Sequence, residues 1–149
     1  NGRYLLIEEY SAGDVVINQP GGHIEAGESP EEAIIREVRE ENGCDVSCGE
    51  LIGVYLWIHP QTRQQFLRLV FAAEYLGCDE SRALDHNIVR KRWMAREDIE
   101  GRRNDLRTPV VLRCIHDYEA GKRQSDALLT GMLPLQNNVD AVLANADLV

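Results

Sequence analysis

A chain of 149 residues, 44% hydrophobic and 28% charged, has the size and balance of one globular domain. That excludes wholesale disorder, a collagen-like repeat and a coiled coil, and apolar runs such as Leu5-Leu6-Ile7 and Val15-Val16-Ile17 are too short to cross a bilayer. Sixteen Lys and Arg against 25 Asp and Glu leave a net charge of −9, so a nucleic-acid polymer is not an expected partner and neither is a membrane.

Arg3 to Glu9 reads as a mostly buried strand, followed by a polar, Gly-containing turn over Tyr10–Asp14. Asn1-Gly2 just ahead of it is a hairpin-turn dipeptide, which points to a partner strand upstream of residue 1. Asn18 to Gly27 is rich in Gly with one Pro and is expected as loop. The next element has clear punctuation. Ser29 suits the N-cap, Pro30 the first helical position and Glu32 the capping box, and Gly43 is placed to end the helix. The spacing predicts a helix from Pro30 to about Asn42, with Ile34, Ile35 and Val38 facing the core.

Two β-rich stretches follow, Leu51–Ile58 and Phe66–Tyr75, and then a short strand near Arg90–Met94 and a brief helix at Ala95–Glu100. Thr108 is placed to cap a helix reaching about Glu119, with Val110, Val111, Cys114, Ile115 and Tyr118 as its buried set. Residues 120–149 carry weak signals and read as a C-terminal tail. No repeat or interdomain linker interrupts the chain, so residues 1–149 form a single mixed α/β (α+β) domain. The cysteines at 44, 48, 78 and 114 show no C-x-x-C pair and no zinc-like spacing to His. They are expected as buried free thiols, which favours a reducing, cytoplasmic setting, with two disulfides as the alternative.

Inside the capped helix, Glu37, Glu40 and Glu41 stand at i, i+3 and i+4 and share one face. Carboxylates crowded in this way repel one another, and an oxygen-rich cluster suits Mg²⁺ or Mn²⁺. Taken alone, such a face is more often simply solvated. Arg36 lies four residues before Glu40 and can hold it by an ion pair, and Pro20-Gly21-Gly22 lets a backbone carbonyl approach a metal. The whole string decides between the readings. Gly22, five residues, Glu28, seven residues, and then Arg36-Glu37-Val38-Arg39-Glu40-Glu41-Asn42-Gly43-Cys44 resembles the Nudix box. All seven fixed letters match, a coincidence expected on the order of once in a billion windows.

The chain is therefore identified as resembling the Nudix hydrolases, and Asn18–Glu25, Leu56–Pro60, Phe66–Arg68 and Arg92–Met94 look like the NudJ-type phosphatase branch. The resemblance covers roughly residues 3–120. It implies a mixed β-sheet sandwiched between helices, the first strand lying before Asn1. It also implies Mg²⁺ (or Mn²⁺) held by Glu37, Glu40, Glu41 and the Gly22 carbonyl. One box glutamate would accept the proton of the attacking water, Glu41 in preference to Glu37, with Arg36 and Glu28 orienting the helix and loop. Many relatives carry a further carboxylate where this chain has Asn87; Asp85 or His86 could substitute.

Substrate contacts are expected from Asn18 and Gln19, which can read polar edges, and from Tyr55, Trp57 and Arg68. Arg68 between apolar neighbours should meet either a phosphate or a structural carboxylate. Tyr55 and Trp57 share a strand face and serve either base stacking or core packing. The function implied is hydrolysis of nucleoside di- or triphosphates, or of a related small diphosphate such as hydroxymethylpyrimidine diphosphate, by a monomer or homodimer. The alternative is a catalytically silent Nudix module that binds a nucleotide as a sensor.

Overall fold

A computed structural model describes residues 2–124. The strand expected at the start is β1, Arg3–Ser11, and the turn after it delivers β2, Asp14–Asn18, for which the sequence alone gave no assignment. Ser11 pairs with Asp14 across a two-residue turn in which Ala12 and Gly13 both have positive φ, 53° and 96°. That is the hairpin geometry whose twist matches the strands. β5, Ile88–Ala95, pairs with the other edge of β1, giving an antiparallel sheet in the order β2-β1-β5.

The second sheet is a long antiparallel hairpin of β3, Cys44–Ile58, and β4, Gln65–Cys78. β3 begins seven residues before the Leu51 start expected from sequence. Its first half is polar and Gly-containing, and its pairing with β4 is interrupted by register shifts between Asp45 and Val46, Cys48 and Leu51, and Leu51 and Gly53. These irregularities erase the alternation that would reveal the strand. Among the described residues the pairing is antiparallel throughout both sheets, and one parallel bridge joins Ile17 to Leu106.

Alternation along β1 sends neighbouring side chains to opposite layers. Leu6 enters a core with Ile17, Met94, Ile99, Val111 and Ile115, beneath the helices α2 (Arg96–Gly101) and α3 (Val110–Glu119). Leu5 faces the other way, toward α1 (Pro30–Asn42), where it packs with Ile34, Ile35, Val38, Cys44 and Val46. Helices thus flank the strands on both sides, an α+β sandwich. Two details differ from expectation. Pro109, not Thr108, is the N-cap of α3, and no side chain caps it. Cys44 and Cys78, directly opposite in the β3–β4 register, form a disulfide, leaving Cys48 and Cys114 free. Their partnership spans 34 residues of sequence and depends on the hairpin register. Of the tail, Gln124 returns to β3, its N–H donating to the Leu51 carbonyl at 2.8 Å; the expectations for 125–149 lie outside the described residues. No described helix is long and apolar enough to cross a membrane.

α1 forms as its punctuation predicts. Ser29 accepts from Glu32 N–H at 3.1 Å, and Glu32 accepts from Ser29 N–H at 2.7 Å. Gly43 closes the helix at φ 65°, with its N–H on the Arg39 carbonyl. A Cβ there would meet the Asp79 carbonyl oxygen at 3.0 Å, in a backbone conformation that already costs an L-residue about 1–2 kcal/mol. Gly43→Ala is expected to lower unfolding stability by at least that much in a urea titration; an unchanged midpoint would contradict this cap.

Candidate active site

The loop from Asn18 to Ser29 is fixed to α1 by Arg36, whose five N–H groups all find acceptors. Nε and Nη2 grip Glu28 at 3.0 and 2.7 Å, Nη1 donates to Glu37 and Glu40 at 2.9 Å each, and Nη2 reaches the His23 carbonyl at 3.0 Å. The i,i+4 pair expected between Arg36 and Glu40 is therefore present. The hydrogen bonds from Arg36, reinforced by Glu25 N–H, pull the Glu28 carboxyl down to about 2. Gly22 runs so close to α1 that a Cβ there would sit inside the Glu37 carboxylate. Only glycine leaves the backbone room to meet that side chain.

Glu41 is the buried member of the set, 7% exposed, and among the described residues accepts a single hydrogen bond, from Gly21 N–H at 2.8 Å. Burial, opposed by the Gly21 hydrogen bond and aided to a smaller extent by the charges of Glu37, Glu9 and Asp85, pushes its carboxyl up to about 8. Glu37 and Glu40 are turned toward Arg36, so among the described residues the carboxylates do not already converge as a ligand shell. Their chemistry nevertheless suits a hard divalent cation. The donors are all oxygen, they come from adjacent helix turns, and a cation offsets both the burial and the repulsion that raise Glu41.

A cleft of about 1490 Å³ opens beside this helix, lined among others by Glu9, Asn18, Gln19, Gly22, Glu37, Glu41, Arg68, Asn87 and Arg107. Asn18 is buried, with Nδ2 on Glu9 at 2.8 Å and its Oδ1 left without a partner among the described residues. Arg68 lies half-buried on β4 and makes no hydrogen bond or ion pair among the described residues, so the structural carboxylate considered for it is not found there. Tyr55, paired with Arg68 in the β3–β4 register, and Trp57 do not line the cleft. Tyr55 donates its hydroxyl to Asp117 at 3.0 Å beside α3, and Trp57 packs on His59 and Phe66. Of the three candidates for an extra group, Asn87 lines the cleft and reaches Glu9 at 3.5 Å; Asp85 influences Glu41 from an exposed position, and His86 is exposed.

Two residues escaped the sequence reading. Glu9, 2% exposed, accepts two hydrogen bonds from Arg107 Nη1, at 2.8 and 2.9 Å. Nothing local marks them. Glu9 looks like the wet end of a strand, and its partner is 98 residues away.

Residues 1–113 match the NUDIX domain family, and the chain belongs to it. It is a hydrolase acting on phosphoric anhydride bonds. It is 37% identical over 122 residues to the phosphatase NudJ of Escherichia coli strain K12, and 36% over the same length to that of Shigella boydii, each alignment covering 82% of this chain and 78% of the relative. A NUDIX hydrolase structure from Nitrosomonas europaea superposes with TM-score 0.85 at 38% identity, covering 89% of this chain and 90% of that one. The MutT protein of Methanosarcina mazei, at 24% identity and TM-score 0.64 over 82% of this chain and 87% of that one, shares the fold.

A carboxyl raised in the folded state from 4.5 to about 8 binds a proton that the unfolded chain has lost. Its contribution to stability is fully present below pH 4.5 and falls away as pH rises toward 8, by at most about 1.4 kcal/mol per pH unit. In EDTA, Glu41→Gln, which keeps an acceptor for Gly21, is expected to raise the melting temperature at pH 8.5 and to change it little at pH 4.5. Equal shifts at both pH values would show that Glu41 is not held protonated.

Proposed function

We propose that the cleft hydrolyses a small diphosphate in a Mg²⁺-dependent reaction, with nucleoside di- and triphosphates or hydroxymethylpyrimidine diphosphate as the substrate class. The observation that carries this is the division of charge in one cleft. Glu37 and Glu41 form an under-compensated acidic wall on α1, and Arg68 and Arg107 stand in the same opening. A diphosphate and a divalent cation together complement that arrangement, and neither does alone.

Glu37, Glu40 and Glu41, with the Gly22 carbonyl, would hold Mg²⁺ or Mn²⁺. When bound, the cation neutralises phosphoryl charge and lowers the pKa of water at the site. The remaining chemistry belongs to the chain. Arg36 keeps Glu37 and Glu40 on the helix face that meets the Gly21-Gly22 backbone. Glu41, the buried carboxylate beside the Gly21 N–H, takes the proton as the water oxygen bonds to phosphorus and the bridging oxygen departs with its electron pair. Asn18 and Gln19, at the end of β2, offer polar groups to the remainder of the substrate. Of the two roles open to Tyr55 and Trp57, stacking and packing, this reading gives them packing.

The relatives named as phosphatase NudJ support a reaction that releases inorganic phosphate. ³¹P NMR of product formation on nucleoside di- and triphosphates, a nucleotide sugar and hydroxymethylpyrimidine diphosphate, each with Mg²⁺ and with EDTA, tests it. Metal-dependent turnover of a phosphate-terminated substrate is expected, with Glu41→Gln slower by about 10²-fold or more and its fold retained. Tight binding with no hydrolysis anywhere in the panel would overturn the reading in favour of a sensor.

A further inference from the structure

Arg68 is a half-buried guanidinium with no carboxylate partner among the described residues. It lines the cleft from β4, where the register pairs it with Tyr55, and it feels the charge of Arg107, which opposes its own, and those of Cys114 and Glu9, which favour it. Burial, and after it the Arg107 charge, lower its affinity for a proton; a guanidinium nevertheless stays ionised in proteins. Arg107 is differently placed. Its backbone N–H donates to the Ile17 carbonyl at 2.8 Å, which ties the loop before α3 to β2, and Glu9 grips a single nitrogen of its fork, Nη1. Nε and Nη2 of Arg107 have no partner among the described residues. Two guanidiniums thus line one cleft in which, among the described residues, only Arg107 is paired with a carboxylate, inside a protein whose net charge is −9. The surplus positive charge lies in the same cleft as the carboxylates of α1.

We propose that Arg68 and Arg107, with Glu9 as the positioning residue for Arg107, form a seat for a terminal phosphate, separate from the carboxylate cluster, that selects substrates ending in a free phosphate over diphosphates esterified at both ends. A terminal phosphate is nearly a dianion at neutral pH and presents three oxygens, whereas a phosphoryl flanked by esters carries one charge and two free oxygens. Two guanidinium forks match the first in both charge and hydrogen-bond number. Glu9 prevents the pair from repelling each other out of the cleft and leaves the Nε and Nη2 donors of Arg107 available. The buried Asn18 amide, donating to the same Oε1 of Glu9 that Arg107 contacts, fixes the carboxylate in turn. The selection deepens the proposal that the cleft takes a diphosphate and rests on it; the phosphate seat itself does not need that reading.

Two measurements separate the seat from the chemistry. In EDTA, inorganic phosphate titrated into the full chain and followed by ³¹P line broadening is expected to bind, and Arg68→Met and Arg107→Met are each expected to weaken that binding at least tenfold. Steady-state kinetics with Mg²⁺ should show KM for a nucleoside diphosphate rising at least tenfold in either variant, and KM for a nucleotide sugar, whose singly charged phosphoryls meet the same arginines more weakly, rising by a clearly smaller factor. Arg68→Lys and Arg107→Lys should recover part of the loss, which a purely structural defect would not. Glu9→Gln should weaken phosphate binding while keeping some of it. Equal KM changes for both substrate types, or phosphate binding indifferent to both arginines, would overturn the proposal while leaving the hydrolase standing. Metal-free phosphate binding that needs both arginines, in a protein that hydrolyses nothing in the panel, would instead support the seat and remove the diphosphatase reading.

Discussion

Arg36 spends all five of its N–H groups on the loop and the helix that must stay together, and the placement of the acidic wall follows from that one guanidinium. The loop between β2 and α1 has little hydrogen bonding of its own, one backbone bond between Glu28 and Glu25 at 3.3 Å being an example. Its ends are fixed by β2 and by the Ser29–Glu32 cap, and its middle by Glu28 and the His23 carbonyl on Arg36. The same side chain spaces Glu37 and Glu40, which would otherwise repel each other across one helix turn. A lysine, with one nitrogen, cannot span acceptors on two elements in this way.

Three glutamates are buried near this end of the molecule, and the protein treats each differently. Glu8 is surrounded by Arg90, Arg92 and Arg102 at 2.6–3.1 Å; burial works to raise its pKa, and the hydrogen bonds and charges of these arginines outweigh it. Glu9, one residue on and facing the other layer, has Arg107 and Asn18. Glu41 has one backbone N–H. Burying a carboxylate costs several kcal/mol unless partners replace its water, so this gradient of compensation is a gradient of unmet electrostatic demand. It is steepest at the residue nearest the glycine loop. An added cation there would relieve a cost the fold already carries.

The parts of the architecture that sequence makes visible are those specified within one turn or one strand. Ser29, Pro30, Glu32 and Gly43 set the limits of α1 locally, and the box glutamates inherit their common face from the helix period. β1, β4, β5 and α2 announce themselves through apolar runs or alternation to within a few residues. The first half of β3 does not, because Asp45, Ser47, Gly49 and Glu50 take their places from a bulged pairing with β4 rather than from a pattern of their own. The Cys44–Cys78 bridge and the Glu9–Arg107 pair are hidden for the same reason. Each joins residues whose proximity exists only once both sheets have formed. The Nudix box named the acidic half of the cleft, and the basic half had to be found in three dimensions.

That asymmetry has a physical basis in where the two halves come from. The carboxylates ride on one helix and one loop, so their relative positions survive any adjustment between the sheets. Arg68 belongs to the β3–β4 hairpin, Arg107 to the loop tied to β2, and among the described residues the two sheets are not hydrogen-bonded to each other. The hairpin is seated instead by side-chain packing of α1 against Val46, Cys44 and Cys78, and by contact of β3 with α3. Packing of that kind tolerates substitution and small displacement better than a hydrogen-bonded ladder does. A change in the β4 side chains or in the seating of the hairpin therefore alters which anion fits opposite the acidic wall without disturbing the wall. Chemistry and selectivity sit on separately supported elements, and the second can vary while the first is kept.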